Sequence, residues 1–260
     1  MEQKEERQVI TVVNGAAASK SDWLAREWPL TIAINGRQYI TLLTTPANLD
    51  ELAVGFALSE GLLDSRQDIQ AVRLSPDGKQ VELELEGNVD LAARLAATRV
   101  LTTGCGKGSQ YFRAVDSLKM KPVSAQRLIT SRQITELMQE FSNKSALFSE
   151  TGAVHAAALA EDEIIVFRED VARHNAVDKL AGNLVLSGRD GEKMCLLTSG
   201  RISSELVLKS ARIGLGLLLS RSAPTSLAVT LAEELGMTVI GFIRGQRFNL
   251  YCHSWRVQGL

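Results

Sequence analysis

The sequence predicts an α/β protein whose N-terminal part is α+β, and three observations carry this prediction. Short apolar runs separated by turn residues fill most of the first hundred positions and indicate hairpins. From about residue 126 onward, apolar strands alternate with helical stretches of ten or more residues, which is typical of layered structures with a partly parallel sheet. A chain of 260 residues with 45% hydrophobic content can form one large domain or two modest ones.

The N-terminal part combines two hairpins with one helix. Residues up to about 20 are polar and predict a frayed end. Asn35-Gly36 is a strong hairpin turn between two apolar strands, and Pro76-Asp77-Gly78 closes a second hairpin. Between them, apolar residues recur at helical spacing after Asn48, the expected N-cap. The predicted elements are strands at 29–34, 38–43, 69–74 and 81–85 and a helix at 49–63.

The C-terminal part alternates strands and helices. Helices are predicted at 132–141, 175–186, 204–213 and 225–235, and strands at 153–160, 163–167, 193–197, 215–219, 238–243 and 248–252. The resulting domain prediction is a flexible N-terminus at 1–20, a smaller α+β domain at 21–100, a cysteine loop or linker at 101–125 and a larger α/β domain at 126–260.

Charge and composition exclude several classes of partner. The net charge is −1, so general electrostatic attraction to nucleic acid or to a membrane is not expected. The three cysteines are odd in number and far apart, which indicates a reducing compartment. The charged first residues argue against a signal peptide, and no run of about eighteen apolar residues predicts a membrane span. The expected location is the cytoplasm.

Cys105 has the most informative surroundings in the chain. Glycines at 104, 106 and 108 leave no side chains to cover the thiol and permit unusual backbone angles. Lys107 is a nearby cation that favours the thiolate. This context favours a cysteine exposed for sulfur chemistry over a free cysteine that packs as a small hydrophobe. Cys195 and Cys252, by contrast, lie in apolar strands and are predicted to be inert packing residues.

Three turns of the C-terminal part could bind anions. They are Thr198–Arg201, Ser222–Ser226 and Arg244–Arg247. Helix N-termini offer free N–H groups, arginines add bidentate contacts, and ligands of open α/β sheets bind at the carboxyl ends of strands. Ser and Thr also cap helices for purely structural reasons. A nucleotide-like ligand and a structural role therefore remain open alternatives for these turns.

Other candidate motifs carry less information. The segment Gly104–Ser109 lacks the spacer and the Lys-Ser/Thr pair of a phosphate-binding P-loop. No Cys-x-x-Cys pair is present, so a thioredoxin-type redox centre and a four-cysteine zinc site are excluded. His155 and His174 could each be a satisfied core histidine. His174 stands among four charged residues, including Asp178, and this group could be a functional site or a structural ion-pair network.

A series of short motifs runs in register along nearly the whole chain. They are Glu27-Trp28-Pro29-Leu30, Thr44-Thr45-Pro46, Glu51–Phe56, Ser59-Glu60-Gly61, Thr103–Gly106, Thr151–His155, Glu169-Asp170-Val171, Arg173–Ala176, Asp178-Lys179, Ser199-Gly200-Arg201, Ala223–Ser226 and Gly241–Gly245. Together these motifs resemble the FdhD-type sulfur carrier proteins, the accessory factors of formate dehydrogenase. The number of motifs makes the resemblance very specific.

The resemblance implies a sulfurtransferase. Such proteins accept sulfur as a persulfide from a cysteine desulfurase and deliver it to the molybdenum cofactor, bis(molybdopterin guanine dinucleotide), for the catalytic subunit of formate dehydrogenase. Cys105 matches the persulfide-bearing cysteine. Arg201 is expected to add a phosphate contact. The family's cofactor-binding segment matches Phe242, Ile243, Arg244, Gly245, Gln246 and Arg247.

The resemblance also implies a homodimer and a three-layer, cytidine deaminase-like fold for the larger domain. Some family members carry a second cysteine three residues after the first, but this chain has Gly108 there, so a persulfide on Cys105 must act alone. One alternative is a non-catalytic chaperone of the molybdenum cofactor, for which Cys105 would be dispensable. The other is a zinc-dependent deaminase-type hydrolase. That chemistry needs His-x-Glu and Pro-Cys-x-x-Cys, whereas the chain has His155-Ala156-Ala157 and Pro224-Thr225-Ser226-Leu227, so no zinc is expected.

Overall fold

The computed structural model describes residues 1–86, 120, 122–124 and 127–260. Cys105 and most of the predicted linker at 101–125 lie outside the described residues. The strands are β1 (Lys4–Val13), β2 (Ala16–Ala25), β3 (Trp28–Ile34), β4 (Arg37–Thr44), β5 (Ile69–Leu74), β6 (Gln80–Leu85), β7 (Ile129–Thr130), β8 (His155–Ala160), β9 (Ile164–Asp170), β10 (Cys195–Thr198), β11 (Leu217–Ser220), β12 (Thr238–Arg244), β13 (Arg247–Cys252) and β14 (Val257–Gln258). The helices are α1 (Leu49–Ser59), α2 (Ser131–Lys144), α3 (Ala146–Thr151), α4 (Arg173–Ser187), α5 (Ser204–Arg212) and α6 (Ser226–Glu234).

A six-stranded sheet organises the C-terminal part, in the order β13-β12-β11-β10-β8-β9. The central strands β10, β11 and β12 are parallel, and the outer strands are antiparallel to their neighbours. All residues of β10 and β11 are buried because helices cover both faces of the sheet. Helices α4, α5 and α6 pack on one face and α2 on the other. This three-layer arrangement confirms the predicted α/β class with a partly parallel sheet.

A second, four-stranded sheet in the order β4-β3-β6-β5 forms the N-terminal part together with α1. The predicted hairpin turn is present: Asn35 and Gly36 have φ angles of 49° and 78°. Two consecutive residues at positive φ match the right-handed twist of the strands they join, which explains why Asn-Gly is favoured there. The two predicted hairpins and the helix of this part are confirmed.

The two parts meet where α1 crosses α4, and two glycines make the crossing possible. A Cβ atom on Gly55 would lie 1.8 Å from the backbone oxygen of Asp178, and one on Gly182 would lie 1.8 Å from the backbone oxygen of Glu51. Any side chain at either position would force the helices apart. Ala181 of α4 belongs to the core of the N-terminal part, so one helix serves both cores.

The prediction of a frayed N-terminus is wrong. Strands β1 and β2 form an antiparallel hairpin with ten residue pairs, from Lys4↔Ala25 to Val13↔Ala16. The sequence signal for this hairpin is the turn Asn14-Gly15. Its φ angles of 50° and 83° are close to those of Asn35-Gly36. The short helix α3 and the two-residue strands β7 and β14 are also absent from the sequence-based prediction.

Candidate functional site

A cavity of about 670 Å³ opens at the carboxyl ends of β10 and β11. A second cavity of about 650 Å³ lies next to it, between α2 and the β12–β13 turn. Both cavities are lined by Ser142, Arg221 and Arg244, so they adjoin, and we call the two together the groove. This is the edge at which parallel α/β sheets bind ligands, because the turns that follow adjacent parallel strands gather there.

Two strand-to-helix turns build the floor of the first cavity. The backbone N–H of Ile202 donates to the oxygen of Ala223, and the N–H of Thr225 donates to the oxygen of Ile202, at 3.1 and 2.9 Å. The hydroxyl of Ser220 donates to the oxygen of Gly200 at 2.7 Å. These bonds fix the two turns to each other, so the groups that line the cavity are held before any ligand arrives.

Side-chain caps already use part of the anion-binding capacity of these turns. The hydroxyl of Ser203 accepts from the N–H of Leu206 at the start of α5, and that of Thr225 accepts from the N–H of Ala228 at the start of α6. These caps satisfy two of the N–H groups that an anion would otherwise bind. The hydroxyls of Ser203 and Thr225 therefore have the structural role of helix caps. The arginines are the stronger candidates for contacts with an anion.

Three exposed arginines surround the first cavity: Arg201, Arg221 and Arg244. Among the residues that the structure describes, no carboxylate forms an ion pair with any of them. Three positive charges without an ion pair to a described carboxylate, arranged around a concave surface, favour a ligand with several negative charges. Sequence reasoning missed Arg221, and the only available signal was its position directly after the apolar run of β11.

Phe242 has an unusual backbone conformation in this cavity. Its φ is 53°, which is rare for an aromatic residue, and it lies within a register shift of β12 between Gly241 and Arg244. Its N–H donates to the oxygen of Ser222 at 3.0 Å. The bulge turns a partly exposed ring into the cavity wall, and such a ring can stack on a planar heterocycle.

His155 also lines this cavity. Its Nδ1 lies 3.3 Å from the hydroxyl oxygen of Ser199, and that oxygen accepts from the N–H of Ala156 at 3.0 Å. Burial lowers the pKa of His155, and the positive charge of Arg173 lowers it further. A neutral imidazole in this position can donate one hydrogen bond or accept one without adding charge.

His174 lies in a buried charge cluster rather than in the cavity. Its Nε2 is 3.4 Å from a carboxylate oxygen of Glu205. Burial, followed by the charges of Lys209 and Arg173, lowers its pKa to about 3, so the ring is neutral near pH 7. Lys209 forms an ion pair with Asp178 at 2.6 Å and with Glu205 at 3.3 Å. The geometry assigns Asp178 to a structural ion-pair network with Lys209, and His174 borders this network as a neutral ring.

The groove brings together most, but not all, of the candidate binding residues. Arg201 and Phe242 line the first cavity, Arg244 lines both cavities, and Ile243, Gly245 and Gln246 line the second. Ile243 is buried and contributes only apolar surface. Arg247 is exposed and lines neither cavity. Cys105 lies outside the described residues.

Cys195 and Cys252 are both buried, as the sequence predicted. Burial raises the pKa of the Cys195 thiol to about 11 and also raises that of Cys252. Among the described residues, no cluster of three or more His, Cys, Asp or Glu side chains could hold a metal ion. This part of the chain therefore offers no support for the zinc hydrolase alternative.

The comparisons with known proteins agree with this fold. The model of the FdhD/NarQ family matches residues 25–258. This chain belongs to the FdhD/NarQ family. It is 39% identical over 252 residues to the sulfur carrier protein FdhD of Geobacillus kaustophilus (strain HTA426), covering 96% of each chain, and 36% identical over 253 residues to that of Bacillus subtilis (strain 168), covering 97% of each.

A solved structure is also similar to this chain. The crystal structure of a "putative formate dehydrogenase accessory protein" from Desulfotalea psychrophila matches with a TM-score of 0.82 and 26% identity, over 98% of this chain and all of that one. Within the described residues, no helix is long and apolar enough to span a bilayer.

Proposed function

We propose that this protein is a sulfur carrier that takes persulfide sulfur from a cysteine desulfurase on Cys105. It passes this sulfur to the molybdenum cofactor, in its bis(molybdopterin guanine dinucleotide) form, for the activity of formate dehydrogenase. The names of the relatives, sulfur carrier protein FdhD, support the first step. The description of the Desulfotalea psychrophila protein as a formate dehydrogenase accessory protein supports the client. The proposed compartment is the cytoplasm.

The observation that carries the proposal is the groove with three arginines that form no ion pair with described carboxylates. The proposed sulfur acceptor has two nucleotide arms, each with a pyrophosphate and a guanine. Arg221 and Arg244 border both cavities and can hold phosphate oxygens of a ligand that spans the groove. The ring of Phe242 supplies a stacking surface for a planar heterocycle.

The sulfur steps balance on one cysteine. The Cys105 thiolate attacks the terminal sulfur of the desulfurase persulfide, a new S–S bond forms on Cys105, and the desulfurase leaves as a thiolate. When the acceptor takes the terminal sulfur as a neutral atom, the electron pair of the S–S bond returns to Cys105. The cation of Lys107 favours the thiolate at the start and at the end of this cycle. The activity is that of a sulfurtransferase.

Intact mass spectrometry tests the carrier step. The purified protein is incubated with a cysteine desulfurase and cysteine, and we expect a gain of one sulfur, about 32 Da, on a peptide that contains Cys105. The Cys105→Ala variant is the control and should gain none, because Cys195 and Cys252 are buried. If the parent protein gains no sulfur, or gains it equally in the Cys105→Ala variant, the carrier role is wrong.

The chaperone alternative shares the groove and differs only in the cysteine. A non-catalytic chaperone of the molybdenum cofactor would need Arg221 and Arg244 but not Cys105. A complementation assay in cells that lack the endogenous protein separates the two roles. Loss of formate dehydrogenase activity with Cys105→Ala, at unchanged protein level, supports the carrier; full activity supports the chaperone.

A further inference from the structure

The hairpin β1–β2 forms an arm that is bonded to the rest of the described structure at its base. The base is held: Lys4 forms an ion pair with Glu150, and the N–H of Arg26 donates to the oxygen of Gln3 at 2.8 Å. Among the described residues, by contrast, no hydrogen bond or ion pair joins residues 8–21 to any residue outside the arm. We call residues 8–19 the arm tip.

The arm tip is unusually apolar for an exposed surface. No charged residue occurs between Gln8 and Ser19. Ile10, Val12 and Val13 are exposed to 68%, 63% and 62%. Because side chains alternate along a strand, Ile10 and Val12 lie on one face and Val13 on the other. A two-stranded ribbon with apolar side chains on both faces is at best marginally stable in water, so a covering surface is expected.

The arm has the size of half an interface. In the arm tip, six residues of β1 at about 3.3 Å each give a ribbon roughly 20 Å long, and its two faces together offer roughly 400 Å². A stable interface buries about 800 Å² per partner. A reciprocal exchange, in which each copy gives one arm and receives one, therefore reaches this size. The arm tip carries no charged residue, which is typical of the apolar interfaces of homo-oligomers. It has no group that could form an ion pair with a highly charged partner.

We propose that the arm tip packs against a second copy of this chain, each copy giving its arm to the other in a symmetric dimer. The family resemblance implies a homodimer but does not identify its interface. The proposal here is that the arm tip forms that interface. The inference does not rest on the proposed sulfur chemistry.

Sedimentation of the full-length protein over a concentration series tests the proposal. The parent is expected at twice its 28.3 kDa chain mass, and the double variant Ile10→Asp/Val12→Asp should dissociate at least ten times more readily. Leu227→Asp is the matched control, because Leu227 is 48% exposed on α6, and it should leave the dimer unchanged. A monomeric parent, or a double variant that dimerises like the parent, overturns the proposal.

Hydrogen exchange of the parent protein provides a measurement that does not depend on the variants folding. Amides of the arm tip should be protected from exchange at concentrations where the protein is a dimer, and should exchange faster on dilution into monomer. Rapid exchange of the arm tip in the dimer would show that some other surface joins the two copies, and the proposal would be wrong.

Discussion

Three exposed arginines of the groove and two buried lysines of the interior differ in whether a carboxylate neutralises their charge. Lys179 and Lys209 are buried, and each forms an ion pair of 2.6 Å with an aspartate. Three arginines of the groove, Arg201, Arg221 and Arg244, are exposed and form no ion pair with a described carboxylate, whereas the groove's Arg132 pairs with Glu136. A buried charge without a partner is costly, so these two lysines are paired with aspartates. An exposed arginine without an ion pair remains in water and is available to an anionic ligand. The contrast separates charges that hold the fold from charges that bind.

The two buried lysines also differ from each other. Lys179 and Asp170 are fully buried and fully bonded: Asp170 accepts from the N–H of Thr45 at 3.1 Å and from Asn175 at 3.0 Å, and Lys179 donates to the hydroxyl of Thr45 at 2.8 Å. Thr44 donates to the same carboxylate. This network ties the end of β4 to the end of β9 and so joins the two parts of the molecule.

The cluster around Lys209 brings three carboxylates together in a largely buried site. Asp178, Glu205 and Glu60 act on this single lysine, while His174 is neutral. Burial raises the pKa of Glu60 to about 7, and the negative charges of Asp178 and Glu205 contribute to the rise. The Lys179 network is therefore balanced, whereas the Lys209 cluster gains a destabilising charge when Glu60 ionises.

The largest effect is expected from breaking the balanced network. Lys179→Met leaves the carboxylate of Asp170 buried without its cation, which should lower the free energy of unfolding by roughly 3–5 kcal/mol. Urea denaturation measures the change. The control is the double variant Lys179→Met/Asp170→Leu, which removes both charges and should recover part of the loss. A double variant no more stable than the single one would contradict the assigned role of the pair.

The second prediction concerns the affinity of the groove for a nucleotide. Guanosine diphosphate has the base and the diphosphate of one arm of the proposed acceptor. Arg244→Ala should weaken its binding roughly 10- to 100-fold, corresponding to about 1.5–3 kcal/mol for one charge-assisted contact, with an unchanged melting temperature. Arg221→Ala should behave similarly. Arg244→Lys should restore only part of the affinity, because an ammonium cannot make the bidentate contact. Calorimetry measures all three.

Arg247→Ala is the matched control for this series, because Arg247 lies on the same turn but lines neither cavity. It should bind guanosine diphosphate like the parent. Arg244 and Arg221 variants that bind guanosine diphosphate as tightly as the parent would mean that the ligand binds elsewhere, even if the sulfur chemistry is correct.

A pH dependence of stability is expected from the cluster around Lys209. The pKa of Glu60 is about 7 in the folded protein and near 4.5 when unfolded, so between these values the folded state binds the extra proton. Stability contributed by Glu60 should therefore fall as pH rises from about 4.5 to 7 and level off above, by at most about 1.4 kcal/mol per pH unit. Glu60→Gln should remove this slope. An identical pH profile for parent and variant would contradict the raised pKa of Glu60.

Sequence reasoning predicted most elements but could not assemble the charge clusters. The Asn35-Gly36 hairpin follows from local backbone chemistry, and its neighbour Asn14-Gly15 carries the same signal, which the polar character of the first residues obscured. Glu60 and Lys209 are 149 positions apart, and the close crossing of α1 and α4 at Gly55 and Gly182 is part of the helix packing that brings them together. Such neighbours depend on the packing of helices, to which no local motif points.

The smallest effect is expected at Cys195, a fully buried thiol. The Sγ of Cys195 donates to the backbone oxygen of Ala160 at 3.4 Å, and burial raises its pKa to about 11 although the charge of Arg127 acts in the opposite direction. The thiolate is the reactive form, so Cys195 should stay unlabelled by a thiol reagent at pH 8 in the folded protein, and so should the buried Cys252. The expected result is one label per chain, on Cys105, and three labels after denaturation. Labelling of Cys195 in the folded state, at the rate seen in the unfolded chain, would mean that the sheet opens around β10 and that the floor of the groove is not held as rigidly as its hydrogen bonds indicate.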